Sequence, residues 1–391
     1  MQRNRPDNRR GLGEIARLFL KLGTIGFGGP AAHIAMMEDE VVRRRGWLSK
    51  QRFLDLIGAT NLIPGPNSTE MAIHIGLTQA GWRGLIVAGT CFIFPAVVIV
   101  LTLAWAYVRY GTAPQAVWIL YGVKPVIIAI VVQALWSLGT KAVKGLITGV
   151  VGAAVLVLSF LGVSEVLLLF AGAFLVMVLE NLRRGRAGQT AAGFLVGPLL
   201  FAGTGAQAAT GAVAGVSVSL LKLTGFFLKI GSILFGSGYV LLVFLRADLV
   251  ERWHWLSDQQ LIDAVAVGQF TPGPVFTTAT FIGYLIAGWP GGILATIAIF
   301  FPSFVLVAAS SPLIPRLRNS PWASGFLDGA NVAALALMAM VTFQLGRAAV
   351  IDWFTALLLL LATIGVFRLK VNSAWLVLGG GAVSLAYRLF G

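Results

Sequence analysis

Hydrophobic residues in this chain fall in long unbroken blocks, not in the stripes of a soluble helix or the alternation of a strand. Leu85–Tyr107, Ala116–Leu138, Glu165–Leu179, Gly291–Ser311 and Trp353–Val366 are such blocks. A helix that crosses a hydrocarbon core of about 30 Å needs about 20 residues, and many of the apolar runs reach that length. A β-barrel would be written in segments of about ten residues with alternating polarity. The pattern therefore predicts an all-α, polytopic membrane protein.

One phrase at the edge of these blocks is written twice. Residues 21–30 read KLGTIGFGGP and residues 229–238 read KIGSILFGSG. The correspondence continues at constant spacing. Trp47-Leu48-Ser49 returns as Trp255-Leu256-Ser257, Asp55 as Asp263, and Pro64-Gly65-Pro66 as Pro272-Gly273-Pro274. One residue is then lost, and Gly81-Trp82 matches Gly288-Trp289, Gly84 matches Gly291, and Pro95 matches Pro302. Chance does not hold so many Gly, Pro and Trp in register. The expected layout is a basic cytoplasmic tail (1–11), a first repeat (12–189), a linking transmembrane segment (190–220) and a second repeat (221–391).

Charge sets the orientation of the halves. The window 38–55 holds Arg43, Arg44, Arg45, Lys50 and Arg52, whereas its mate 246–263 holds only Arg246 and Arg252. Cytoplasmic loops collect Lys and Arg, so the first loop is expected inside and the second outside. The two homologous halves then form an inverted-topology repeat. That is a common architecture of secondary transporters, with the substrate site between the repeats.

Each half opens with two interrupted segments. The first runs from about Glu14 to Val42 and breaks at Gly26–Pro30. The second runs from about Arg52 to Gln79 and breaks at Pro64–Pro66. The breaks of the second half are Gly236-Ser237-Gly238 and Pro272–Pro274. Basic residues flank the first segment on both sides, which favours a re-entrant hairpin over a kinked crossing. Irregular backbone at membrane depth is tolerated only where protein buries it or it lines a wet cavity. Proline ends one half-helix, and the next starts with unpaired N–H groups and a positive dipole end, a ready-made anion site. Gly28, Gly29 and Pro30, their mates Gly236, Ser237 and Gly238, the two Pro-Gly-Pro elements with Asn67, Ser68 and Thr69, and Thr277 and Thr278 are thus candidate substrate ligands. Asn67 or Ser68 as an ordinary N-cap, and glycine as a packing device, are the competing readings.

Lys21 and Lys229 recur in register and either offset a substrate charge at membrane depth or snorkel to the interface. Lys124, before Pro125, is a third cation in an apolar run, and its mate is Asn331. Glu70 is the acidic residue beyond the Pro-Gly-Pro break, placed to carry protons or to pair with a cation. His33 and His74 flank the breaks and either titrate near neutral pH or serve as hydrogen-bonded helix residues.

Composition narrows the function classes. The 391 residues are 58% hydrophobic and 11% charged, against about 25% charged in soluble domains. The net charge of +14 accompanies no nucleic-acid module, so no nucleic-acid partner is expected. Cys91 is alone, and the three histidines lack zinc spacing, so neither a disulfide, a metal nor a cofactor is expected. No paired carboxylates stand at helical spacing in an apolar run, which argues against an enzyme. The basic N-terminus leads into the repeat without a signal-peptide cleavage pattern and is expected to be retained.

The duplicated layout, Phe27-Gly28-Gly29-Pro30 with Phe235-Gly236, and LIPGPNSTEMAIHIG (62–76) with FTPGPVFTTATFIG (270–283) resemble the chromate ion transporter family in its long, two-domain bacterial form. The resemblance covers essentially the whole chain. It implies gradient-driven export of chromate across the bacterial inner membrane and resistance to chromate, with sulfate as a close structural analogue. A passive anion channel on the same half-helix ends is the alternative. The chain is expected to contact the lipid bilayer and to form a homodimer. The halves differ at Gly28-Gly29-Pro30 and Gly236-Ser237-Gly238, so the two sites need not be equivalent.

Overall fold

The computed structural model describes residues 11–27, 29–61, 63–111, 113–183, 219–234, 240–311 and 320–390. The basic tail, nearly all of the expected linking segment, Gly28 and Gly236–Gly238 lie outside them.

The arms of the first broken segment are α1 (Leu12–Ile25) and α2 (Gly29–Glu38), and α2 runs on into a π-helical turn, Asp39–Arg44. The arms are antiparallel. Arg45, beyond the second arm, reaches Glu14 at the start of the first with Nη1 and Oε1 3.1 Å apart. Further in, Lys21 Nζ meets Glu40 Oε1 at 2.6 Å. Both ends of the segment therefore lie at one face, as in a re-entrant hairpin and not in a kinked crossing.

α3 (Lys50–Thr60) starts on Ser49, whose hydroxyl accepts the Arg52 amide. α4 (Asn67–Tyr110) follows the Pro-Gly-Pro break and is itself two arms. At Gly81 the backbone takes φ 61°, ψ −147°, a conformation that glycine alone adopts freely, and the chain reverses. Gly76 and Gly84 are then so close that a Cβ on either would collide with the other's carbonyl oxygen. Along a straight helix they would be about 12 Å apart. The arm 67–79 returns to the face from which α3 entered, where Gln79 Nε2 donates to Trp47 O at 3.2 Å. Residues 50–79 thus form a second re-entrant hairpin, and 82–110 is the first full crossing. Both hairpins open toward the face of Arg43–Arg45, Lys50 and Arg52.

α5 (Pro114–Ala142), α6 (Leu146–Phe160) and α7 (Glu165–Arg183) complete the first half. The second half repeats the plan in α8 (Leu220–Ile233), α9 (Leu241–Leu245) with a π-helical turn Arg246–Arg252, α10 (Asp258–Phe270), α11 (Thr278–Ser310, led by a 3-10 turn at Val275–Thr277), α12 (Pro321–Ala349), α13 (Trp353–Phe367) and α14 (Ser373–Phe390). The details are copied as well. Gly288 takes φ 61°, ψ −150°, Gly283 and Gly291 repeat the close approach, and Lys229 Nζ lies 3.6 Å from Asp248 Oδ2. Among the described residues, Asn67–Tyr110, Pro114–Ala142, Glu165–Arg183, Val275–Ser310 and Pro321–Ala349 are long and apolar enough to cross a bilayer.

The halves are inverted. The matched spans 82–110 and 289–310 cross antiparallel, with Gly89 against Phe304 and Leu101 against Gly292. Equivalent helices that cross this way are related by a two-fold axis perpendicular to both, which lies in the membrane plane. Beyond them the halves interlock through small residues. Gly122 of α5 lies against Gly380 of α14, and Gly329 of α12 against Ala173 of α7, its image under the two-fold. The largest buried apolar cluster mixes both halves, from Ile93, Val100 and Ile127 to Phe227, Phe281, Ile299 and Leu337. Ile86, Phe94, Ile293, Ile297 and Phe301 face outward from the two central spans, as lipid-facing side chains must.

Candidate functional site

The four breaks meet in crossed pairs. Gly65 N–H donates to Leu234 O at 2.8 Å, and Gly273 N–H donates to Gly26 O at 2.8 Å. Leu234 and Gly26 are equivalent positions, so each Pro-Gly-Pro loop clasps the hairpin tip of the opposite half. In each loop the glycine is the only residue with an amide to give. Gly65 has φ +143° and Gly273 φ +91°, and neither has room for a side chain. A Cβ at Gly65 would strike Glu70 Oε1 and sit 2.6 Å from Ser303 Oγ, and one at Gly273 would sit 2.8 Å from Ala96 Cβ. Ser303 and Ala96 are again mates in the repeat.

At the first loop, Pro66 O takes the amides of both Thr69 and Glu70, so the arm 67–79 is headed by the amides of Asn67 and Ser68. Asn67 Nδ2 donates to Asn61 Oδ1 at 2.8 Å, and Asn61 is exposed. Ser68, Thr69 and Glu70 are buried. Thr69 Oγ1, both carboxyl oxygens of Glu70, His74 Nε2 and Ser303 Oγ are buried without a hydrogen-bond partner among the described residues. The second loop is quieter. Thr277 Oγ1 donates to Pro274 O at 2.9 Å and Thr278 Oγ1 to Val275 O at 2.8 Å.

At the first hairpin tip, Gly29 has φ +79° and Pro30 stands in the first turn of α2, where its missing amide is tolerated. His33 Nε2 donates to Gly26 O at 2.8 Å, which puts the ring proton on Nε2 and leaves Nδ1 buried and unpartnered. Of the residues singled out in the sequence, Gly28, Gly236, Ser237 and Gly238 lie outside the described residues.

The lysines are engaged elsewhere. Lys21 meets Glu40, which Arg44 and Arg45 also contact, and Lys229 meets Asp248, which Arg252 also contacts. These clusters are two-fold images that brace the open ends of the hairpins. The Lys21 hydrogen bond, helped by Arg45, holds the Glu40 carboxyl below its usual range. Lys124 Nζ lies 3.4 Å from Asp263 Oδ1, and Tyr107 Oη donates to Asp263 Oδ2 at 2.9 Å. This triad, with Asp263 buried and Lys124 and Tyr107 half-buried, joins first-half spans to the second half's hairpin.

Sequence reasoning singled out neither Ser303 nor the acidic partners as site residues. Glu40 and Asp248 were findable, since both stand at the same distance after Lys21 and Lys229. Asp263 was seen only as the mate of Asp55, and nothing local marks its pairing with Lys124. Among the described residues no three of His, Cys, Asp and Glu gather as metal ligands. The arrangement can hold a group that accepts hydrogen bonds from helix-head amides and hydroxyls.

A family model described as chromate transporter matches residues 13–177 and 221–385, once in each half. The chain is 31% identical to a chromate transport protein of Cupriavidus metallidurans, over 95% of this chain and 92% of that one. It is 33% identical to a probable chromate transport protein of Synechococcus elongatus, over 92% and 90%. It is 30% identical to a chromate transport protein of Pseudomonas aeruginosa, over 84% and 80%. No solved structure matches it.

Proposed function

The chain belongs to the chromate transporter family, and from that premise we propose that it is a secondary active transporter which exports chromate from the cytoplasm and so gives resistance. The observation that carries this reading is the crossed clasp of Gly65 on Leu234 and Gly273 on Gly26. It ties each Pro-Gly-Pro loop, with the half-helix head that follows it, to the hairpin tip of the opposite half, which supports a site at the interface of the repeats, where repeat transporters bind their cargo. The head of the arm 67–79, with Asn67, Ser68 and Thr69, is the principal anion site, and Ser303 completes it from the other half. Gly29 and Pro30 at the first hairpin tip, and by their place in the sequence Gly28, Gly236, Ser237 and Gly238, are further candidate substrate ligands. Pro272–Pro274, Thr277 and Thr278 form the corresponding wall of the second half. Lys21 and Lys229 hold the hairpins and lend distant positive charge.

Sulfate or another tetrahedral oxyanion is the second reading, because helix-head amides and hydroxyls recognise oxygen geometry and charge more than the central atom. A chromate-sensitive bacterium that expresses the chain, grown on rising chromate with and without excess sulfate, tests the substrate. Protection supports chromate export. Absence of protection rejects chromate and leaves other oxyanions. A passive channel would equilibrate anion in reconstituted vesicles without a gradient, whereas a secondary transporter accumulates it.

A further inference from the structure

The carboxyl of Glu70 is the feature that the clasp does not explain. It is 0% exposed, and neither oxygen has a hydrogen-bond partner among the described residues. No ion pair reaches it among the described residues, because Lys21 is on Glu40, Lys229 on Asp248 and Lys124 on Asp263. The charged groups on the packed α3 are Lys50, Arg52 and Asp55, and Arg52 acts on His74, one turn beyond Glu70. His74 Nε2 is itself buried and unpartnered. The side chains beside Glu70 and its loop, Thr69 and Ser303, each hold an unused buried hydroxyl. The site therefore holds donors with nothing to bind and an acid with nothing to pair with, at the head of a helix. The second half does not repeat it. There the matching Thr277 and Thr278 are satisfied by their own turn, and the mate of Ser303 is Ala96.

We propose that Glu70 carries the coupled proton, and that an oxyanion occupies the head of the arm 67–79 only when Glu70 is protonated. This rests on the oxyanion reading above and adds the coupling ion to it. An ionised carboxylate and a dianion cannot share a dry site, since like charges there repel strongly. Both also want the same helix-head amides. Protonation removes the repulsion and turns the acid from an acceptor into a donor, which then points an O–H at the anion. Where the empty protein has Glu70 ionised, each dianion that binds takes one proton from water onto the carboxylate, and each that leaves releases it; where Glu70 is already protonated, the dianion binds without further uptake. The bound complex thus moves with one negative charge fewer than the free dianion.

The test is sulfate and chromate binding to the purified full-length protein by calorimetry from pH 6 to pH 9, in buffers of different ionisation heat. Sulfate stays a dianion throughout, so its own titration does not intrude. Where Glu70 is ionised, the wild-type protein is expected to take up about one proton per anion, and its affinity should fall by up to tenfold per pH unit, as linkage of one proton requires. Glu70→Gln, neutral at every pH and still a donor, should bind with no proton uptake and a flat pH profile. Wild-type binding without proton uptake at any pH of this range overturns the proposal even if the variant fails to fold, and so does uptake that persists in Glu70→Gln. Failure of the wild type to bind either anion overturns the oxyanion reading, and this proposal with it.

Discussion

Gly65 of the first half donates its amide to Leu234 of the second at 2.8 Å, and Gly273 returns the same bond to Gly26. These two bonds join irregular backbone deep in the protein, where an unpaired amide would be costly. Gly65→Ala places a methyl on Glu70 and Ser303 at φ +143°, and Gly273→Ala places one on Ala96 at φ +91°. Strain of about 1–3 kcal/mol is expected for each, with crowding added. Both variants should melt lower in detergent and lose transport. Gly225→Ala, where a Cβ meets nothing within 4 Å, should melt at or above the wild type.

The duplication made half of this clasp legible. The phrases at 21–30 and 229–238 and the two Pro-Gly-Pro elements announce four breaks. The sequence cannot say that each break bonds the other half, because the bonded residues stand far apart along the chain. Gly81 and Gly288 were visible as a matched pair but not as reversals, since a Gly-Trp inside an apolar run carries no local sign of direction. Lys21 and Lys229 were noticed for their charge. Their acidic partners lie a hairpin away, and only the fold brings them together.

Lys124 and Asp263 form a pair between the halves in which the carboxylate is buried and the ammonium half-buried, with Tyr107 completing it. Removal of one partner from a buried pair leaves the other charge stranded and costs about 3–5 kcal/mol. Lys124→Met and Asp263→Leu should each show that loss in thermal melts. The double variant should recover most of it. Equal additive losses in the double variant would show that the pair is not coupled.

Glu40 gives a pH dependence with a definite sign. Its carboxyl is held low by Lys21 and Arg45, so the folded state favours the ionised form. That contribution is present above the unfolded value of about 4.3 and is lost as pH falls through the lower folded value. Lys21 is about half exposed, at 48%, so the ion pair is worth at most about 1 kcal/mol. Melting measured from pH 6 down to about pH 2.5 should fall less steeply for Glu40→Gln than for the wild type, because the loss begins near the unfolded value and runs through the lower folded one.

Inverted topology makes matched positions report opposite faces. Ser49 and Ser257 cap equivalent helices and both are exposed. In a Cys91→Ala background, Ser49→Cys should react with an impermeant maleimide only from the cytoplasmic side, and Ser257→Cys only from the outside. Labelling of both from one side would contradict the two-fold relation.

The central claim is that the crossed tips bind an oxyanion and move it against its gradient. Uptake of radiolabelled chromate into inside-out vesicles that contain the chain measures this most directly. Accumulation above the external level is expected, with collapse on dissipation of the membrane potential, which draws the net negative complex into the positive lumen, and loss in Gly65→Ala. Uptake no greater than in vesicles without the chain, or equilibration that ignores the gradient, would contradict it.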